Sequence, residues 1–195
     1  MLRLSIPVRS DVDSRNSYQQ YRAELKADFN HRCGYCDAHD DVVWARGHYH
    51  IDHFAPHSQF PLLKESYENL VYSCPFCNRA KSNKWHGNDA TVHNDGIRGF
   101  VDPCSNEYDQ HLTRSDDGKI IALTNLGRYL LVELKLQLAR HQMAWQSEAL
   151  LKLRDRVSAL LDDPRLEGDQ RMVLLEEFRE LTNSYEHSKR AALRP

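Results

Sequence analysis

The sequence predicts an α+β chain: a small core of short strands and one helix, stapled by metal, followed by an α-helical extension. Two observations point to the core. Four of the five cysteines fall into two CxxC pairs, Cys33/Cys36 and Cys74/Cys77, and the residues between them are rich in β-branched and aromatic side chains. The third observation is a change to helical spacing of apolar residues from about Asn125 onward.

Residues 1–15 contain Pro7 and scattered charges without a sustained period, so they read as an extended arm. Residues 16–100 form the core. Its first helix is "SYQQYRAELKADF", with Ser17 as N-cap, Gln20 three positions on, and Tyr18, Tyr21, Leu25 and Phe29 on one stripe. The stretch "VVWARGHYHIDHF", from Val42 to Phe54, suggests two short strands turning near Gly47. Pro56 and Pro61 end the ladder, residues 55–69 read as loop, and "LVYSC" is the next strand. A second helix starts at Pro75, a favourable first helical position, and runs toward Trp85 before Gly87.

Residues 101–124 read as an irregular connecting segment, with "KIIAL" as a candidate strand. In residues 125–195, Leu150, Leu153, Val157 and Leu160 lie at helical spacing, as do Leu174, Phe178, Leu181 and Tyr185. "DDPRLEG" breaks the two runs apart, which predicts a helical hairpin. No internal repeat or low-complexity tract is present.

Composition narrows the function classes. Apolar residues make up 41% and charged residues 28%, which suits a folded chain in water. No apolar run approaches the ~20 residues of a membrane-spanning helix, and the first residues lack the apolar core of a signal peptide, so a cytoplasmic location and no membrane partner are expected. Formal net charge is −2. A global positive field therefore does not draw this chain to nucleic acid, and any polyanion contact must be local.

Two thiolate pairs on tight turns make a closed tetrahedral Zn²⁺ site, structural because no position is left for water. The competing reading is one buried pair and one redox pair, but no βαβ pattern surrounds either CxxC. Cys104 stands apart as a half-buried structural thiol. Between the knuckles lies "HIDHFAPHSQFP", residues 50–61. Hydrolysis of a phosphodiester needs a base, a divalent cation and hard ligands for it. Asp52 is a hard ligand, and His53 beside it is a base whose ordinary pKa suits neutral pH. Adjacent strand residues reach one centre only where a strand ends, as it does before Pro56. Asn78 offers an amide oxygen on the first turn after the second knuckle, and Arg79, Lys81 and Lys84 form a local basic cluster suited to phosphate.

In that order, "CGYC", "HIDHFAPHSQFP" and "ENLVYSCPFCNRAKSNK" resemble a zinc-stabilised HNH endonuclease of the ββα-metal (His-Me finger) type, over roughly residues 30–86. The resemblance implies a ββα-metal nuclease core with a four-cysteine zinc site, His53 as general base, Asp52 and Asn78 holding the catalytic cation, and Asn69 bracing the loop that orients His53. Asn78 stands where many members carry a histidine, and an amide oxygen there suits Mg²⁺ or Mn²⁺. His50 is expected behind the direct ligands, or packed on the first helix. His57 is either a phosphate contact or a solvated loop residue. His31, His39, His48, His86 and His93 read as surface or packing residues.

A looser resemblance, carried by Asp102-Pro103, His111 and Gly118, links residues 99–120 to bacterial HNH proteins of anti-phage defence. Some of these, in Septu-type and retron-linked systems, act beside an ATPase. DNA is thus the expected substrate, with a protein partner such as an ATPase, or a second copy bound through the C-terminal helices. Two other functions compete: a zinc-stabilised nucleic-acid-binding module without catalysis, and a nuclease silent until a partner releases it. The C-terminal helices equally suit burying one another over the core.

Overall fold

A computed structural model describes residues 1–42 and 49–193. The first of the two strands expected from Val42, its turn at Gly47, and His48 lie outside the described residues apart from Val42 itself, which sits in a turn.

The chain enters through a 3₁₀ turn, Tyr18–Tyr21, that leads into helix α1, Arg22–Asp28. Ser17 occupies the N-cap position but makes no side-chain capping bond. The expected stripe is real: Tyr21, Leu25 and Phe29 are buried, and only Tyr18 departs from it, half-buried toward a cleft.

Strands β1, His50–His53, and β2, Leu70–Ser73, pair antiparallel with Asp52 opposite Val71 and His53 opposite Leu70. Helix α2, Pro75–Lys81, follows at once, with Pro75 at its start and the Cys74 sulfur accepting the Cys77 N–H at 3.4 Å. The helix stops at Lys81, short of Trp85, because Ser82 turns left-handed at φ 49°. Strand, loop, strand and helix thus form the central unit, and its buried side chains merge with Phe100, Leu126, Leu130 and Leu134 in one core.

The connecting segment is more ordered than its turn-rich sequence implies. It holds a helical turn, α3, Tyr108–His111, and a hairpin of β3, Leu112–Arg114, and β4, Ile120–Ala122. Helix α4, Asn125–Glu133, is capped by the Thr124 hydroxyl, which accepts the Gly127 N–H at 3.0 Å. At Gly127 a β-carbon would lie 2.0 Å from the His111 carbonyl oxygen, so only glycine lets α4 approach α3 this closely.

Lys135 turns left-handed at φ 54° after α4, so the helical extension is a short helix followed by a hairpin. That hairpin is α5, Ala139–Leu161, and α6, Gly168–Leu193. Arg32 donates to the Glu148 carboxylate from beside the first knuckle, and the Tyr185 hydroxyl donates to the Val42 carbonyl at 3.0 Å, which docks the hairpin on the core. The N-terminal arm is extended but pinned. Arg3 pairs with Asp109 at 3.0 Å, and Arg9 pairs with Asp102 at 2.9 Å while donating to the Leu70 carbonyl.

Candidate active site

Cys33, Cys36, Cys74 and Cys77 are fully buried, and their sulfurs all lie within 4.8 Å of one another, with Cys36 and Cys74 at 3.8 Å. Sulfurs bound to one Zn²⁺ at ~2.3 Å sit about 3.8 Å apart in a tetrahedron, so the donor set fits that ion. The first knuckle is locked to β2 by the Gly34 N–H, which donates to the Tyr72 carbonyl at 2.9 Å. A β-carbon on Gly34 would meet Phe29 at 2.7 Å and Val71 at 2.9 Å, so this close approach also needs glycine.

An open cleft of about 670 Å³ brings together His50, Asp52, His53, His57, Asn78 and Arg79. Asp52 and His53 come from the last two positions of β1, and Asn78 from the first turns of α2. The position of that helix start is set by Cys74 and Cys77, so the cysteine cluster aims the Asn78 amide.

His53 is held by three contacts. Its Nε2 lies 2.9 Å from the Lys64 carbonyl oxygen. Since a carbonyl only accepts, Nε2 carries the proton and Nδ1 keeps its lone pair. Tyr18 packs edge-on against the ring at 4.7 Å, as His57 does at 4.6 Å. Burial holds the His53 imidazole below its ordinary pKa, so it is neutral at pH 7 and available as a base.

Asp52 is buried and accepts the Tyr35 hydroxyl at 2.6 Å on Oδ2. Burial raises its carboxyl to about 6, opposed by the Lys81 ammonium and the Tyr35 hydrogen bond. Asn69 stands outside the cleft and acts on the loop after β1. Its Oδ1 accepts the Ala55 N–H at 2.8 Å and its Nδ2 donates to the Ala55 carbonyl at 2.9 Å. Those two bonds fix the backbone two residues beyond His53.

The basic cluster divides. Arg79 is exposed and lines the cleft. Lys81, read from sequence as a phosphate contact, is fully buried, and its Nζ donates to the Phe54 carbonyl at 2.8 Å and the Lys84 carbonyl at 3.1 Å. Rings of Phe100 and Trp85 lie 4.7 and 5.6 Å from that nitrogen, and burial pushes its pKa down to about 8. Lys84 likewise points elsewhere, pairing with the Glu133 carboxylate at 2.8 Å, and does not line the cleft. Helical spacing places Lys81 on the face of Asn78, but the end of the helix at Ser82 lets its long stem reach inward. His50 and His57 are exposed at the rim of the cleft.

Sequence reading overlooked Tyr35 and Tyr18. The tyrosine inside "CGYC" is a signal in hindsight, since a knuckle holds its middle residues rigidly. Tyr18 was absorbed into the apolar stripe of the first helix.

Residues 33–84 match the family described as HNH endonuclease, a stretch that holds both cysteine pairs together with His50, Asp52, His53, His57, Asn78 and Arg79 of the cleft. The Septu protein PtuB of Bacillus mycoides (strain KBAB4) is 24% identical over 138 residues, which make up 55% of this chain and 44% of that protein. The chain thus spans less than half the length of this relative. No solved structure matches the chain. Among the described residues, no helix is long and apolar enough to cross a membrane.

Proposed function

We propose that this chain is a metal-dependent HNH endonuclease that hydrolyses DNA phosphodiesters as an effector of anti-phage defence. The single observation that carries the reading is the pairing of a neutral, oriented His53 with the oxygen donors of Asp52 and Asn78 in one open cleft. The defence role rests on the likeness to the Septu protein.

The donor set fits a hard cation: one carboxylate and one amide oxygen, with no thiolate in the cleft. Asp52 and Asn78 would hold Mg²⁺ or Mn²⁺, which when bound offsets charge developing on the phosphate and the leaving 3′-oxygen. His53 Nδ1 takes a proton from the attacking water, and the Lys64 carbonyl stabilises the imidazolium that forms by keeping the Nε2–H bond. Asn69 holds the backbone beyond His53 against recoil, and Arg79 meets the phosphate chain at the cleft edge. His57 buttresses the His53 ring and faces the same groove.

The described residues lining the cleft all precede residue 84, so the C-terminal helices do not cover it. That favours a nuclease whose free form is already accessible over one masked by its own extension. The helical hairpin then serves a partner, either an ATPase subunit or a second copy. Incubation of supercoiled plasmid and a labelled RNA with the protein in Mg²⁺, Mn²⁺ or EDTA tests the proposal. Cation-dependent cutting of the plasmid supports it, and binding without cutting under every condition returns the chain to a nucleic-acid-binding module.

A further inference from the structure

Away from the cleft, the first cysteine knuckle carries a second cluster of metal-binding side chains. His31 follows α1, His39 and Asp40 follow Cys36, and the strand-like bridge between Arg32 and His39 brings the two histidines side by side. Their rings stack at 5.8 Å with an angle of 11° between planes. The Nδ1 atoms of His31 and His39 each lie 3.8 Å from Asp40 Oδ1, and one donor atom from each of the three residues lies within 4.8 Å of the others.

Asp40 supplies the independent observation. Its side chain is 1% exposed. One oxygen, Oδ2, is well satisfied by the Tyr72 hydroxyl at 2.7 Å and the Lys26 ammonium at 2.8 Å. The other, Oδ1, is buried and has no hydrogen-bond partner among the described residues. A buried carboxylate oxygen without a partner is costly, and the groups it faces are two imidazoles.

We propose that His31, His39 and Asp40 form a second divalent-cation site, separate from the four cysteines, that takes Zn²⁺ or a similar borderline transition cation. Two imidazole nitrogens and one carboxylate oxygen are the donor types such an ion prefers, and three protein ligands leave a fourth position for water. Donors held at 2.0–2.2 Å by one tetrahedral ion lie roughly 3.3–3.6 Å apart, so each histidine–carboxylate distance of 3.8 Å closes by a few tenths of an ångström, and the two imidazoles, whose donors lie within 4.8 Å, turn toward each other on binding. The half-exposed His31, with its side chain 48% accessible, leaves an entry path. Two groups compete with the ion. His39 Nδ1 accepts the Asp41 N–H at 3.2 Å, a bond exchanged for coordination, and the Lys26 ammonium already offsets part of the Asp40 charge. The bound ion would tie the end of α1, through His31, to the knuckle that positions Cys33 and Cys36.

The test uses the whole 195-residue chain with its cysteine site filled by zinc. After dialysis against Co²⁺, metal content is measured by mass spectrometry and the ligand field by absorption. One cobalt per chain with visible bands but without thiolate charge-transfer absorption is expected, because cobalt in the cysteine site would show the latter. His31→Ala and His39→Ala, at exposed and half-buried positions, should each weaken binding at least tenfold while keeping the cysteine-bound zinc. Lys26→Met, which removes the competing ammonium, should strengthen it several-fold. Absence of any cobalt beyond exchange into the cysteine site overturns the proposal, as does undiminished binding by the double variant lacking both histidines.

Discussion

The Tyr35 hydroxyl lies 2.6 Å from Asp52 Oδ2, linking the middle of the first knuckle to the carboxylate proposed to hold the catalytic cation. The turn that carries Cys33 and Cys36 thus also positions the Asp52 carboxylate. Both groups are buried, where a hydrogen bond to a charged acceptor is worth about 1.5–3 kcal/mol. Tyr35→Phe should raise the Mg²⁺ or Mn²⁺ concentration for half-maximal cleavage by about tenfold. A cleavage titration with zinc content as control checks this, and an unchanged midpoint would remove Tyr35 from the site.

Lys81 and Arg79 should separate stability from binding. Lys81→Met leaves the Phe54 and Lys84 carbonyls without their buried donor, and should cost about 2–4 kcal/mol in denaturant unfolding. Arg79→Ala, at an exposed position, should leave stability nearly unchanged and reduce the salt slope of DNA binding by about 1.

Gly34→Ala places a methyl group within 3 Å of Phe29 and Val71. Overpacking of this kind costs about 1–3 kcal/mol, and here it also pushes the knuckle off β2. A lower melting temperature with faster loss of zinc to a chelator is expected.

Acid sensitivity should come from His141. This imidazole is 3% exposed, and burial pushes its pKa down to about 4. Between about 6.5 and 4 the unfolded chain binds the proton and the folded one does not, so stability is full above about 6.5 and falls as pH drops toward 4. The loss is on the order of 3 kcal/mol. Unfolding free energy measured at pH 7 and pH 4.5 should differ less in His141→Phe than in the unaltered chain.

The cysteine cluster and the places of Asp52, His53, Asn69 and Asn78 were legible because each residue sits where the local chain puts it: at a knuckle, a strand end or a helix start. Lys81 was not, since its direction depends on the left-handed turn at Ser82 and on an aromatic enclosure from Trp85 and Phe100, the latter distant in sequence. The hairpin of β3 and β4 was half-visible in "KIIAL", but its partner "LTR" is too short to show alternation. The extra break after α4 hinges on the left-handed Lys135, which no glycine or proline announces. His31 and His39 read as surface or packing residues, and nothing in the sequence marks Asp40, until the bridge from Arg32 to His39 gathers them.

His53 as the base is the central claim, and chemical rescue tests it most directly. Single-turnover cleavage of DNA in Mn²⁺ is compared for the unaltered protein, His53→Ala, and His53→Ala with added imidazole, each shown to retain its zinc. The account predicts a loss of at least about 100-fold in the variant and partial recovery that rises with the neutral fraction of imidazole. Cleavage by zinc-loaded His53→Ala at the unaltered rate would contradict it.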